Sequence, residues 1–145
     1  MGFGDGFVPL ENPLVQYSFC IAGKPVIQQR ARTVTKGGRT WTYDKSAKER
    51  KTLSLALFYA RQIAKASILG GDLSVDMVFY GGGNRSDLSN MVKAVEDSGN
   101  QILWKDDKQI VEEHTRMVRE DANPRTEVTI HYEEQPAAEH PQSSQ

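Results

Sequence analysis

Four segments in which apolar and polar positions alternate predict β-strands. They are residues 15–22, 73–80, 109–118 and 126–132. Between the first two, residues 26–43 carry β-rich stretches on both sides of Lys36-Gly37-Gly38-Arg39. A glycine pair at such a position is typical of a turn, so this segment predicts a hairpin arm with its tip at these four residues.

Two segments have apolar residues three or four positions apart, which predicts helices. The longer covers residues 46–68 and ends at Gly70-Gly71, and its apolar side is formed by Leu53, Leu57, Ala60, Ala64 and Ile68. The shorter covers residues 87–98, with Asp87 as its N-cap and with a core face of Met91, Val92 and Val95. Strands and helices mix without strict alternation. We therefore expect an α+β fold, in which a small mixed sheet packs with two main helices in a single domain.

The two ends of the chain differ in composition from its middle. Residues 1–13 are rich in glycine and predict a flexible leader, and residues 134–145 are polar with prolines and predict a disordered tail. The folded domain is expected to span residues 14–133. Cys20 is the only cysteine, which excludes an internal disulfide and favours a reducing compartment. No apolar run approaches the roughly 20 residues that cross a bilayer, so we expect a cytoplasmic protein without a membrane partner.

Charge is distributed unevenly, although the net charge is only -1. Between residues 24 and 65 only Asp44 and Glu49 oppose a long series of lysines and arginines. A basic segment of this kind indicates a surface that binds phosphate backbones, and a solvated charged surface is the alternative. The candidate DNA contacts are Lys24, Arg30, Arg32, Lys36, Arg39 and Lys45.

The shorter helix carries a polar stripe. Asn90, Lys93 and Asp97 share one face of it, because residues three or four positions apart lie on the same side of a helix. Asp87 lies one turn before Asn90.

A second acidic group follows this helix. The apolar stretch 102–104 is expected to pack against the domain and to return Asp106-Asp107 to the helix, which would bring Asp87 and Asp107 together. Carboxylates of this kind suit Mg²⁺, which takes oxygen ligands and uses one or two carboxylates plus a substrate phosphate. A helix cap, a solvated polar face and an acidic turn together form the alternative interpretation.

These residues resemble the signature of the RusA family of Holliday-junction resolvases. The family pattern is an Asp-x-Asp-Asn group that opens a helix, a lysine one turn later, a further aspartate, and then Asp-Asp-x-Gln with a hydrophobic residue. The matching positions are Asp87-Leu88-Ser89-Asn90, Lys93, Asp97 and Asp106-Asp107-Lys108-Gln109-Ile110. Similarity in the basic segment and in the last strand extends the resemblance over residues 15–132.

The resemblance implies a RusA-like fold and a small Mg²⁺-dependent endonuclease from a bacterium or bacteriophage. Such enzymes act as homodimers and cut two strands of branched DNA, a four-way junction, symmetrically. It further implies that Asp87 and Asp107 are catalytic metal ligands and that Lys93 is the catalytic lysine. Supporting metal-site positions would be Asp97, Asp106 and Ser89.

Ser89 departs from the family pattern, which has an aspartate there. A serine hydroxyl is a neutral and weaker ligand than a carboxylate, so the implied metal site lacks one charge. Two hypotheses follow for the chain: an active junction endonuclease, or a weakened protein that binds junction DNA without cutting it. A regulatory or assembly protein without preference for branched DNA is the third.

Overall fold

The computed structural model describes residues 14–29, 32–44, 46–82, 84 and 87–134, without the side chain of Arg32. The predicted leader and nearly all of the predicted tail lie outside these residues, as do Arg30 and Lys45. The elements, in chain order, are β1 (Leu14–Ala22), β2 (Arg32–Lys36), β3 (Arg39–Tyr43), α1 (Ala47–Ala64), β4 (Leu73–Tyr80), α2 (Leu88–Gly99), a 3₁₀ turn (Asp107–Gln109), β5 (Ile110–Val118) and β6 (Arg125–Glu133). The predicted order of elements and the α+β class are confirmed.

The main sheet has four strands in the order β1-β6-β4-β5. β6 pairs antiparallel with both β1 and β4, whereas β4 and β5 are parallel. The sheet is therefore mixed, as predicted. The parallel pair requires a crossover connection, which α2 supplies. β5 and β6 follow each other in the chain through a polar turn but do not pair.

One face of the sheet carries the core. Alternate residues of β4 are buried, from Leu73 through Val75 and Met77 to Phe79. Both helices pack here: α1 contributes Leu53 and Leu57. Met91, Ala94 and Val95 of α2 join them, and Val92 is partly buried beside the cluster.

The longer helix ends earlier than the sequence pattern predicts. It stops at Ala64, because Lys65 adopts a left-handed conformation with φ 57° and its N–H donates to the Arg61 and Gln62 carbonyls. Of the predicted apolar side, Leu53 and Leu57 are buried, Ala60 is half-buried and Ala64 is exposed. Ile68 lies outside the helix and is also exposed, so the predicted side was too long.

The hairpin of β2 and β3 forms a separate two-stranded sheet. Its base is fixed by Ser46, which is buried and whose hydroxyl accepts from the Gln29 N–H at 3.0 Å. The same hydroxyl donates to Asp44, and Asp44 forms an ion pair with Arg50 of α1. These bonds anchor the hairpin at the start of α1. Among the described residues, no helix is long and apolar enough to cross a membrane.

Candidate active site

Carboxylates gather at the C-terminal end of α2. Asp97 and Asp107 interact directly, and Glu96 is close enough to both for their charges to act on it. Glu113, on β5, is the fourth member and interacts with Glu96. One element alone could not form this group, since α2, the 3₁₀ turn and β5 each contribute to it.

The chain returns to α2 because of the buried residue Trp104. Its indole N–H donates to the Glu96 carbonyl at 3.3 Å and to Asn100 Oδ1 at 3.1 Å. Leu103 is fully buried beside it, as the apolar stretch 102–104 predicts. The predicted return of the acidic turn to the helix is therefore present, with Asp107 as the residue that reaches it.

The side chain of Asn100 hydrogen-bonds to both Trp104 and Asp107. The Asn100 amide donates to Asp107 Oδ2 at 3.4 Å, so indole, amide and carboxylate form a chain. Burial raises the pKa of Asp107, the Asn100 hydrogen bond opposes that shift, and neighbouring Asp97 adds to it. The net result is a raised pKa for Asp107, caused first by burial and then by the like charges of Asp97 and Asp106, and a bound cation would oppose this shift.

Glu96 and Asp97 are fixed from different sides. Gln28, in the segment after β1, donates from Nε2 to Asp97 Oδ2 at 3.0 Å. Burial, and then the hydrogen bond and charge of Glu113, raise the pKa of Glu96 to about 8. This environment favours the protonated form of Glu96 beside Glu113.

Asp106, unlike Asp107, caps the 3₁₀ turn. Its carboxylate accepts the Lys108 N–H at 2.9 Å, and its own N–H donates to Gln109 Oε1 at 2.9 Å. Gln109 Nε2 in turn donates to the carbonyls of Leu69 and Gly71. The structure thus places Asp106 as the exposed cap of the 3₁₀ turn and Gln109 as the tie that holds this turn to the preceding loop.

Asp87 and Ser89 lie at the opposite end of α2. Asp87 is the N-cap residue, but its side chain does not cap the helix and instead accepts the Asn84 N–H at 2.7 Å. Ser89 and Asn90 are exposed in the first turn. Lys93 is exposed midway along the helix and forms no ion pair with the described residues.

The length of α2 separates Asp87 from Asp107. Asp97, the helix residue that interacts with Asp107, follows Asp87 by ten positions. At a rise of about 1.5 Å per residue, the two ends are about 15 Å apart along the axis. Within one chain the structure therefore brings Asp107 to Asp97 and does not bring it to Asp87, because the turn returns to the far end of the helix.

Three of the described candidate DNA contacts, Arg32, Lys36 and Arg39, lie on the hairpin. Lys24, Lys36 and Arg39 are exposed, and Arg32 lies opposite Tyr43 in the β2–β3 pairing. Lys36 pairs with Arg39, and Trp41 pairs with Val34, so these positions share one face of the hairpin. Four threonines pair on the other face through their hydroxyls, at 3.3 Å and 3.0 Å. One face is thus basic and aromatic, and the other is neutral.

Sequence reasoning missed Glu96, Glu113, Gln28 and Asn100. The sequence does contain an indication that Glu113 faces the helices. It occupies the same alternating positions of β5 as Thr115 and Met117, which are half-buried. Its Oε2 atom is buried without a hydrogen-bond partner among the described residues. Gln28 is 69 positions from Asp97 in the chain, and no local pattern indicates that contact.

The donor chemistry of this end fits a hard divalent cation. Carboxylate oxygens and amide oxygens are what Mg²⁺ prefers, and a cation would relieve the repulsion within the group. No three such side chains from the described part of one chain are already set around a common point. Asp97 and Asp107 are the residues here that would hold the ion, and waters or a substrate phosphate are the further ligands that Mg²⁺ usually takes.

Glu96 predicts a dependence of stability on pH. Its pKa is raised from 4.5 to about 8 in the folded chain, so folding takes up a proton. The stability that this proton contributes is fully present below the pKa of Glu96 in the unfolded chain. It is lost as the pH rises through the pKa of Glu96 in the folded chain. Urea unfolding in EDTA should therefore show Glu96→Gln gaining stability relative to wild type between pH 5 and pH 9. The exposed Glu120→Gln is the matched control and should follow wild type, and equal pH profiles for all three proteins would contradict the shift.

Comparison with known protein families assigns the chain to one of them. The sequence model described as Endodeoxyribonuclease RusA matches residues 22–131, which include the hairpin, both helices and the acidic turn. The comparison with curated proteins gave no match. Because the matched region covers most of the chain, the protein belongs to the RusA family of endodeoxyribonucleases.

Proposed function

We propose that the protein resolves Holliday junctions or other branched DNA by Mg²⁺-dependent phosphodiester hydrolysis, as a symmetric homodimer. A setting in bacterial or bacteriophage recombination, inside the cell, follows from the family. Two equivalent cuts require two equivalent sites, which a two-fold dimer supplies.

The return of Asp107 to Asp97 carries this proposal. Two motif carboxylates, one on α2 and the other in the 3₁₀ turn, become neighbours, and both have dedicated partners in Gln28 and Asn100. Side chains that serve only as a solvated surface need no such positioning. Family membership supplies the reaction class, and the geometry supports Asp97 and Asp107 as the ligands.

Each motif residue would have a distinct role at a phosphate. Bound Mg²⁺ would polarise the phosphoryl oxygens and lower the pKa of an attacking water. Asp107 and Asp97 would hold the ion, and Asp87 would supply a carboxylate at the other end of α2. The Lys93 ammonium, which has no carboxylate partner among the described residues, would offset negative charge that develops on the phosphate.

The hairpin would bind the DNA beside the acidic end of α2. Its anchor at Ser46 lies near the acidic end of α2, because the Ser98 hydroxyl donates to the Arg50 carbonyl and Arg50 pairs with Asp44. Lys36 and Arg39 would bind phosphates at the tip. Trp41 and Tyr43, 45% and 38% exposed on the same face, offer stacking surfaces for unpaired bases at a branch point.

Removal of a metal ligand should abolish cutting. We expect wild type to nick a synthetic four-way junction in Mg²⁺, and Asp107→Asn to lose at least about a hundredfold in rate, because the ion supplies several kcal/mol of stabilisation. Asp72→Asn, an exposed aspartate outside the motif, is the matched control and should cut normally. Equal nicking by Asp107→Asn would show that the site is misplaced or that a contaminant cuts.

Ser89 separates the two family hypotheses. If the exchange has only weakened the site, Ser89→Asp should raise nicking and lower the Mg²⁺ concentration needed, since a carboxylate binds the ion better than a hydroxyl. If wild type binds junctions but does not cut even in Mn²⁺, and Ser89→Asp restores cutting, the chain is the weakened DNA-binding relative. If neither protein prefers a junction over duplex DNA in a gel shift, a regulatory or assembly role is favoured.

The hairpin tip should control the salt dependence of DNA binding. Lys36→Ala with Arg39→Ala removes two phosphate contacts, so the slope of log K against log salt should fall by about 1.8. Lys65→Asn is the matched control, because it removes a cation at the far end of α1 and asparagine tolerates the left-handed backbone there. Fluorescence anisotropy with a labelled junction measures both slopes, and unchanged slopes in the tip variant would exclude the hairpin from the interface.

A further inference from the structure

We propose that Gln28 and Ser46 are positioning residues that couple the base of the β2–β3 hairpin to the metal ligand Asp97. Both act through the placement of the Asp97 carboxylate rather than by touching the DNA or the ion. The proposal rests on the proposed nuclease function, since it concerns the ion and the DNA of that reaction.

Gln28 contacts α2 at two points. Its backbone N–H donates to the Asn90 carbonyl at 3.2 Å, and its side-chain Nε2 donates to Asp97 Oδ2 at 3.0 Å. These contacts fix both the backbone and the side chain of Gln28 on the helix. Its Oε1 atom is buried without a hydrogen-bond partner among the described residues, which costs stability. The geometry is that of an amide kept for the orientation that it gives to the Asp97 carboxylate.

Ser46 joins the two ends of the hairpin. β2 begins three residues after Gln29, and β3 ends at Tyr43, three residues before Ser46. The buried Ser46 hydroxyl accepts from the Gln29 N–H at 3.0 Å on the first side and donates to Asp44 Oδ1 at 2.8 Å on the second. One hydroxyl therefore holds both ends, and a displacement of the hairpin acts on Gln29 and, through the chain, on its neighbour Gln28.

The second end of the hairpin also leads to α2. Hydrogen bonds from Ser46 lower the pKa of Asp44, which keeps this carboxylate charged for its ion pair with Arg50. The buried Ser98 hydroxyl donates to the Arg50 carbonyl at 3.4 Å, and Ser98 directly follows Asp97 in the chain. The contacts thus close a ring that consists of Asp97, Gln28, Gln29, Ser46, Asp44, Arg50 and Ser98.

This ring connects the place where DNA would bind with the place where the ion would bind. Both ends of the hairpin reach consecutive residues of α2, Asp97 and Ser98, so DNA at the hairpin tip and an ion at Asp97 would stabilise the same arrangement of the ring. Two ligands that favour one arrangement raise each other's affinity by the same factor. Loss of a residue that orients a metal ligand typically lowers metal affinity or activity by about 10- to 100-fold. Gln28 and Ser46 should therefore set the Mg²⁺ concentration that cutting requires.

The Mg²⁺ requirement of cutting tests this coupling. Gln28→Ala and Ser46→Ala should each raise the Mg²⁺ concentration for half-maximal nicking of a four-way junction at least about tenfold, and saturating Mg²⁺ should recover most of the maximal rate. Junction affinity, measured by anisotropy in EDTA, should stay within about twofold of wild type, because the phosphate contacts at the tip remain. Ser46→Thr keeps the hydroxyl and should restore the wild-type requirement. Thr52→Ala, which removes an exposed hydroxyl of α1 that donates to the Lys48 carbonyl, is the matched control and should follow wild type.

The double variant separates coupling from local damage. Either substitution opens the ring, so Gln28→Ala/Ser46→Ala should raise the Mg²⁺ requirement no further than the larger single effect. Multiplied effects, or an unchanged requirement in Gln28→Ala, would overturn the ring as a unit. Thermal melting by circular dichroism shows which variants are folded at the assay temperature. If Ser46→Ala is unfolded there, Ser98→Ala opens the ring on its other side and takes its place.

Mn²⁺ binding tests the positioning role without cutting. In an EPR titration without DNA, Gln28→Ala should bind Mn²⁺ at least about tenfold more weakly than Thr52→Ala, because the Asp97 carboxylate loses its orientation. Equal affinities would overturn the positioning role, even if wild type cuts junctions. If wild type cuts no junction while Gln28→Ala still weakens Mn²⁺ binding, the nuclease function fails and the positioning of Asp97 stands.

Discussion

The packing of Trp104 against Gly99 is the constraint on which the candidate site depends. A Cβ atom at Gly99 would lie 2.8 Å from the Trp104 ring, so only glycine admits the fully buried indole at the end of α2. The Leu103 N–H also donates to the Gly99 carbonyl at 2.8 Å. The chain consequently reverses within a few residues, and Asp107 is returned to the helix that carries Asp97. Asn100 links the packing of Trp104 to the position of Asp107, because its side chain accepts from the indole N–H and donates to the Asp107 carboxylate.

Local patterns predicted the elements and the return of the acidic turn to α2 well, but not the partners of Asp107 there. Alternation found β4 with its exact bounds because its residues are buried on one side only, and the apolar stretch 102–104 implied the return of the turn. The end of α1 was placed too late, since Ala64 and Ile68 continue the helical spacing while Lys65 turns the backbone. Spacing records which residues can share a face and does not record where the backbone stops being helical.

The relation between Asp87 and Asp107 was beyond reach of the sequence for a different reason. A motif gives the order of its residues, but the end of the helix to which a turn returns depends on the crossover between β4 and β5. The parallel pairing of these strands forces α2 to run back along the sheet, so its first residues lie near the end of β5 and its last near the start. The two aspartates of one motif therefore lie near opposite ends of β5. The contacts of Gln28 and Glu113 depend on the same long-range arrangement.

The charge balance around α2 bears on the exchange at Ser89. The first turn of a helix carries partial positive charge, so a missing carboxylate there leaves Asp87 with stronger local support and less repulsion. The other end holds Glu96, Asp97, Asp107 and Glu113, more acidic groups than the one or two carboxylates that Mg²⁺ uses beside a phosphate. Without a carboxylate at Ser89, the motif still contains Asp87, Asp97 and Asp107. Under the proposed function, the exposed Ser89 hydroxyl would need only to hold a water, and the exchange would weaken the binding of Mg²⁺ rather than remove its last ligand.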